Sequence, residues 1–138
     1  MLRVRQPVQR RRHGVQRVVQ VVGLRVDVEQ AGDDLYAKLD KRYKGFSGHE
    51  LISGYEFSSD WPNWERHPHG DEIIVLLSGR VEFILQTEDG EIGLQLSRQG
   101  EYVLIPKNVW HTARTNHYCK LLFITPGEGT QHKAVAQA

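Results

Sequence analysis

The sequence predicts an all-β domain in which two curved sheets close around an interior pocket, with one short helix ahead of them. Three observations carry this reading. From residue 50 onward, short apolar runs alternate with turn residues at the spacing of a sandwich or barrel. The run 71–77 is apolar on both faces: Ile74 and Leu76 share one face with Glu72, and Ile73, Val75 and Leu77 occupy the other, as in a strand central to a two-layer structure. A chain of 138 residues can bury one core unaided, and its single cysteine, Cys119, excludes an intramolecular disulfide framework.

The elements follow in order. Residues 1–25 hold seven Arg and no acidic residue, whereas the other residues hold eleven Lys or Arg against seventeen Asp or Glu. This basic, Arg-rich stretch, taken as 1–30, is read as an extension outside the functional core. A targeting peptide and a nucleic-acid arm are the competing readings. Residues 1–46 contain no Ser, against a targeting peptide, and the acidic body argues against nucleic acid as a partner. Within the extension, Leu24, Val26 and Val28 alternate with charged residues as in one edge strand. Asp33 and Asp34 then cap a helix over 35–43, whose Leu35, Leu39 and Tyr43 form one apolar stripe.

Strands are expected at 50–57, 71–77, 81–86, 91–96, 102–105, 111–115 and 120–125. Ser78-Gly79, Glu88-Asp89-Gly90, Arg98-Gln99-Gly100 and Pro106-Lys107-Asn108 supply turns between them. The core domain is placed at 31–127, and 128–138 is expected to be a flexible tail. Phe83, Leu85, Tyr102, Leu104, Leu121 and Phe123 are the expected inward positions of the pocket. Trp110 is read as packing, and Cys119 as a buried, inert thiol. No apolar run approaches ~20 residues, so no membrane-spanning helix is expected.

The chemistry-bearing segment runs from Trp61 to Gly79 and contains His67-Pro68-His69-Gly70-Asp71-Glu72. Imidazoles at i and i+2 project to one side of an extended backbone, and the carboxylate of Glu72 follows closely. A further imidazole, His111, comes about forty residues later. Neutral imidazole with carboxylate suits a divalent ion such as Fe, Mn, Ni, Cu or Zn.

This segment resembles motif 1 of the cupin superfamily, G-x5-H-x-H-x3–4-E-x6-G. Gly100 to Asn116 resembles motif 2, G-x5-P-x-G-x2-H-x3-N, with Asn108 in place of its glycine and Asn116 one place late. The resemblance, over about Phe46 to Gly127, implies a single-domain RmlC-like cupin, a double-stranded β-helix (jelly-roll) barrel. It implies a metal site of His67, His69, Glu72 and His111 in the barrel mouth. Only two residues separate His69 from Glu72, so His67 and His69 have the opposite strand parity to Glu72 unless a bulge at Gly70 shifts the register by one. His49 is read as structural or at the surface, and His13, His117 and His132 as facing solvent.

The implied function is metal-dependent action on, or binding of, a small organic molecule, dioxygenase- or isomerase-like. The alternative is a non-catalytic metal- or ligand-sensing module resembling the cupin domains of anti-sigma factors. A cytoplasmic homodimer, with no nucleic-acid or membrane partner, completes the expectation.

Overall fold

A computed structural model of the chain describes residues 18–22, 26–30, 35–42, 45 and 47–136. The leader over 1–17, the capping residues Asp33 and Asp34, and Tyr43 lie outside the described residues. In chain order the elements are β1 (Val18–Val22), β2 (Val26–Gln30), α1 (Leu35–Arg42), β3 (Glu50–Phe57), β4 (Asn63–Arg66), β5 (Glu72–Gly79), β6 (Val81–Thr87), β7 (Gly90–Leu96), β8 (Tyr102–Ile105), β9 (His111–Arg114), β10 (Cys119–Pro126) and β11 (Gln131–Ala134). Among the described residues, no helix is long and apolar enough to cross a membrane.

The strands form two antiparallel sheets, β2-β1-β3-β10-β5-β8 and β11-β4-β9-β6-β7. This is the all-β jelly-roll architecture that the alternating apolar pattern calls for. β2 is the edge strand expected from Val26 and Val28, and β1 joins it to β3. Thus part of the segment read as an extension adds strands to the first sheet.

Alternation decides what is buried. Ile74 and Leu76 of β5 point inward, as do Phe83 and Leu85 of β6, Ala113 of β9, and Leu121 and Phe123 of β10. Trp61, just ahead of β4, joins them. Its ring lies 5.9 Å from Phe83, nearly perpendicular at 82°, and 5.9 Å from Phe123. Phe57 packs against it as well, at 5.5 Å. Such aromatic contacts add to the area they bury.

Two of the expected inward residues face out. Tyr102 is 68% exposed and Leu104 50%, while Val103 and Ile105 are buried. The register explains it: β8 sets Val103 opposite Ile74 and Ile105 opposite Glu72, so those two share the inner face. Tyr102 and Leu104 instead continue an outer apolar face with the half-buried Ile73, Val75, Leu122 and Ile124.

The tail expectation also changes. Residues 131–134 form β11, which pairs with β4 from Gln131 opposite Arg66 to Ala134 opposite Asn63. This strand was missed because Gln131-His132-Lys133-Ala134 is polar and exposed, with no apolar alternation to mark it.

Two turns place particular demands on the backbone. Asn108 sits at φ 64°, a left-handed conformation that Asn tolerates better than most side chains, in the place where the motif has glycine. Gly79 sits at φ 84°, and a Cβ there would run into the carbonyl oxygen of Tyr118. Gly90, at φ 112°, has open space around it. Gly90→Ala is therefore expected to cost only the backbone strain of its positive φ, about 1–3 kcal/mol. Gly79→Ala should cost more than about 3 kcal/mol, because the backbone collision adds to that penalty. Urea unfolding of the two variants checks this, and equal losses would contradict it.

Candidate metal centre

β4 belongs to the second sheet and β5 to the first, so the chain crosses between sheets over residues 67–71. Three contacts hold this crossing. The Asn108 N–H donates to the His67 carbonyl at 2.9 Å. The Lys107 N–H donates to Asp71 Oδ1 at 2.7 Å. Gly70 lies so close to Pro126 that a Cβ would come within 2.8 Å of its Cγ. The Pro106-Lys107-Asn108 turn of one motif thus anchors the histidine segment of the other.

Crossing between sheets brings four side chains together. Glu65 on β4 is paired across the strands with His111 on β9. His67 follows Glu65 by two residues and shares its side, and Glu72 faces both from the start of β5. One ligating atom from each of Glu65, His67, Glu72 and His111 lies within 4.8 Å of all the others. His67 and Glu72 are each 2% exposed, His111 is 0% and Glu65 17%.

His67 Nε2 stands 2.9 Å from Glu65 Oε1 and 3.1 Å from Glu72 Oε2, and His111 Nε2 stands 3.0 Å from Glu72 Oε1. These are short distances without hydrogen-bond direction: both Nε2 atoms and Glu72 Oε1 are buried with no hydrogen-bond partner. The outer nitrogens, by contrast, are committed. His111 Nδ1 lies 3.1 Å from the Val109 carbonyl, which can only accept, so Nδ1 carries the hydrogen. His67 Nδ1 lies 3.0 Å from Thr130 Oγ1, whose own hydrogen goes to the Gly127 carbonyl at 3.0 Å, so this Nδ1 donates as well. In the neutral rings both Nε2 lone pairs therefore face the carboxylates. Thr125 Oγ1 fixes Glu72 by donating to Oε2 at 2.6 Å.

The electrostatics match. Burial alone would lower the pKa of His67, but the carboxylates of Glu65 and Glu72 outweigh it and raise it to about 10. Burial would raise Glu72, yet the imidazoles of His111 and His67 hold its carboxyl below the usual range. Glu65 is lowered in the same way, against burial, by His132 and His67. The group attracts positive charge.

His69 is not brought to the group. It sits exposed at the tip of the crossing, with its ring near Gly129. The strand-parity argument that called for a bulge at Gly70 does not apply, because a turn between two sheets separates His67 from Glu72. Sequence reasoning missed Glu65. Counting back from Glu72 with the longer motif spacing lands on His67, and two residues earlier on Glu65. His132, expected to face solvent, is 42% exposed, and its Nε2 reaches to 3.3 Å from Glu65 Oε2. Trp110 faces outward beneath Arg66 and Lys133, as a packing residue does. Cys119 is fully buried, and burial pushes its thiol up to about 11, so it is a poor nucleophile.

Residues 58–125, which contain His67, Glu72 and His111, match the family described as "Cupin domain". The chain belongs to the cupin superfamily. No curated protein matches it. Among solved structures it is similar to a double-stranded β-helix protein from Klebsiella pneumoniae at 17% identity and TM-score 0.51, covering 63% of this chain and 76% of that one. A cupin-2 domain protein from Shewanella frigidimarina is 25% identical with TM-score 0.46, covering 56% and 70%. An oxalate oxidase in complex with glycolate is 14% identical with TM-score 0.50, covering 59% and 45%. The Klebsiella and oxidase likenesses are of fold alone. Measured against the cupin pattern, this chain reads Glu65-x-His67-x4-Glu72-x6-Gly79, with a carboxylate where the first histidine is usual.

A pH dependence follows for the metal-free protein. The folded-state pKa of His67 is raised above its ordinary value of 6.5, so its stabilising contribution is complete below that value and is lost as pH rises through about 10. Urea unfolding in chelator should show stability falling between pH 7 and pH 10, with a shallower fall in His67→Gln. A flat profile in the unsubstituted protein would contradict the pairing.

Proposed function

We propose that this cupin holds one divalent cation between Glu65, His67, Glu72 and His111 and uses it on a small organic molecule, in dioxygenase- or isomerase-like chemistry. The carrying observation is that both buried Nε2 atoms and Glu72 Oε1 converge without hydrogen bonds to one another. A cation accepting all of them is the species that such an arrangement satisfies. Two carboxylates balance a double positive charge, and two imidazoles with two carboxylates suit Mn(II), Fe(II) or Zn(II).

When bound, such an ion polarises an oxygen atom of a small ligand or holds it beside a co-substrate. The chain's own part is to fix the donors. Val109 orients His111, Thr125 orients Glu72, and the aromatic cluster of Trp61, Phe83 and Phe123 fills the interior. Glu65, the most exposed of the four, marks the side from which a ligand approaches. The cupin family hosts many chemistries, and the likeness to an oxalate oxidase brings no substrate with it. The near-complete burial of His67, Glu72 and His111 favours a second reading, in which the ion or its ligand is sensed rather than transformed.

Elemental analysis of the purified protein beside a Glu72→Ala, His111→Ala double variant tests the proposal. The expected result is about one metal per chain, falling at least tenfold in the variant. Metal in neither, with the variant equally stable, would overturn it. With metal present, oxygen-uptake and isomerase screens separate the enzyme from the sensor.

A further inference from the structure

We infer that the segment from Gly127 to Ala134 is a strap that presets the metal centre, with Thr130 and His132 as its positioning residues. The inference rests on the metal reading above and concerns residues outside the four ligands.

The strap has two sides. Its outward side is fastened by contacts remote from the centre. Gln131 Oε1 accepts from Arg66 Nε at 2.6 Å, and Lys133 Nζ donates to Gln86 Oε1 at 3.0 Å. The same ammonium lies 4.4 Å from the Trp110 ring centroid, and the Val135 N–H donates to the Pro62 carbonyl at 2.9 Å. Along β11 His132 alternates with Gln131 and Lys133 and turns the other way, and Thr130, just ahead of the strand, joins it. Thr130 meets His67 Nδ1, and His132 meets Glu65 Oε2.

Each inward contact constrains a different ligand. With its hydrogen given to Gly127, the Thr130 hydroxyl offers His67 only an acceptor, which keeps the hydrogen on Nδ1 and the donor lone pair on Nε2. His132 occupies one oxygen of Glu65 and leaves the other, Oε1, beside His67 Nε2. β11 lies beyond the matched stretch of 58–125, so this support comes from outside the family's shared region. Partners of this kind set ligand orientation, and their loss lowers metal affinity by ~10–100-fold.

The test uses the full chain, stripped with chelator and titrated with Co(II), with the visible absorption bands as readout. Thr130→Val, which keeps the shape and removes the acceptor, is expected to weaken Co(II) binding ~10–100-fold and to shift the bands. Thr130→Ser should restore both. His132→Ala, at an exposed position, should weaken binding with the far-ultraviolet circular dichroism unchanged, and it decides the matter if the valine variant does not fold. Native affinity and bands in Thr130→Val and His132→Ala would overturn the strap and leave the metal reading standing. Failure of the unsubstituted protein to take up Co(II) would overturn both.

Discussion

Two carboxylates and two imidazole nitrogens share one small buried volume, and both Nε2 atoms and Glu72 Oε1 lack a hydrogen-bond partner there. Each outer nitrogen is bound to an acceptor, which leaves both Nε2 lone pairs turned toward carboxylate oxygens about 3 Å away. Uncompensated, such a cluster costs several kcal/mol per group. Positive charge has to be supplied, either as a proton on His67 or as a cation shared by all four. The rise of the His67 pKa and the fall of those of Glu65 and Glu72 express the same demand.

The fold makes this cluster possible by drawing its members from both sheets. Glu65, His67 and His111 stand on or beside β4 and β9, and Glu72 opens β5 opposite them. The crossing at 67–71 is held by the turn at 106–108, so the two sequence motifs are one structural unit. Beyond it the interior turns apolar at once, with Ile74, Leu85 and Leu121 buried and Trp61 packed against Phe83 and Phe123. The low-dielectric floor strengthens every charge interaction above it.

Much of the fold was legible because one strand face is buried and alternation records it. The bounds expected for β3 and β8 coincide with those observed, and the turns at Gly79 and Asn108 fall where turn chemistry placed them. β4 and β11 were not legible. Asn-Trp-Glu-Arg and Gln-His-Lys-Ala carry one large apolar residue between them, and these strands face the centre and the solvent. The faces of Tyr102 and Leu104 were misjudged because an apolar run on an edge strand does not say which side is in; the register with β5 does. At the candidate centre, His67, Glu72 and His111 followed from motif spacing. Glu65 did not, because a carboxylate in place of histidine looks like one more surface acid until β4 turns it inward. His69 was drawn in by the motif alignment, whereas the chain changes sheets over 67–71 and leaves its ring exposed near Gly129.

The most direct test of the central claim is diffraction from crystals grown with Mn(II), collected to record its anomalous signal. The account predicts one peak inside the group, within direct coordination distance of an oxygen of Glu65 and of Glu72 and of the Nε2 atoms of His67 and His111, with His69 remote from it. A peak coordinated by His69, or direct hydrogen bonds among the four side chains with no ion between them, would contradict it.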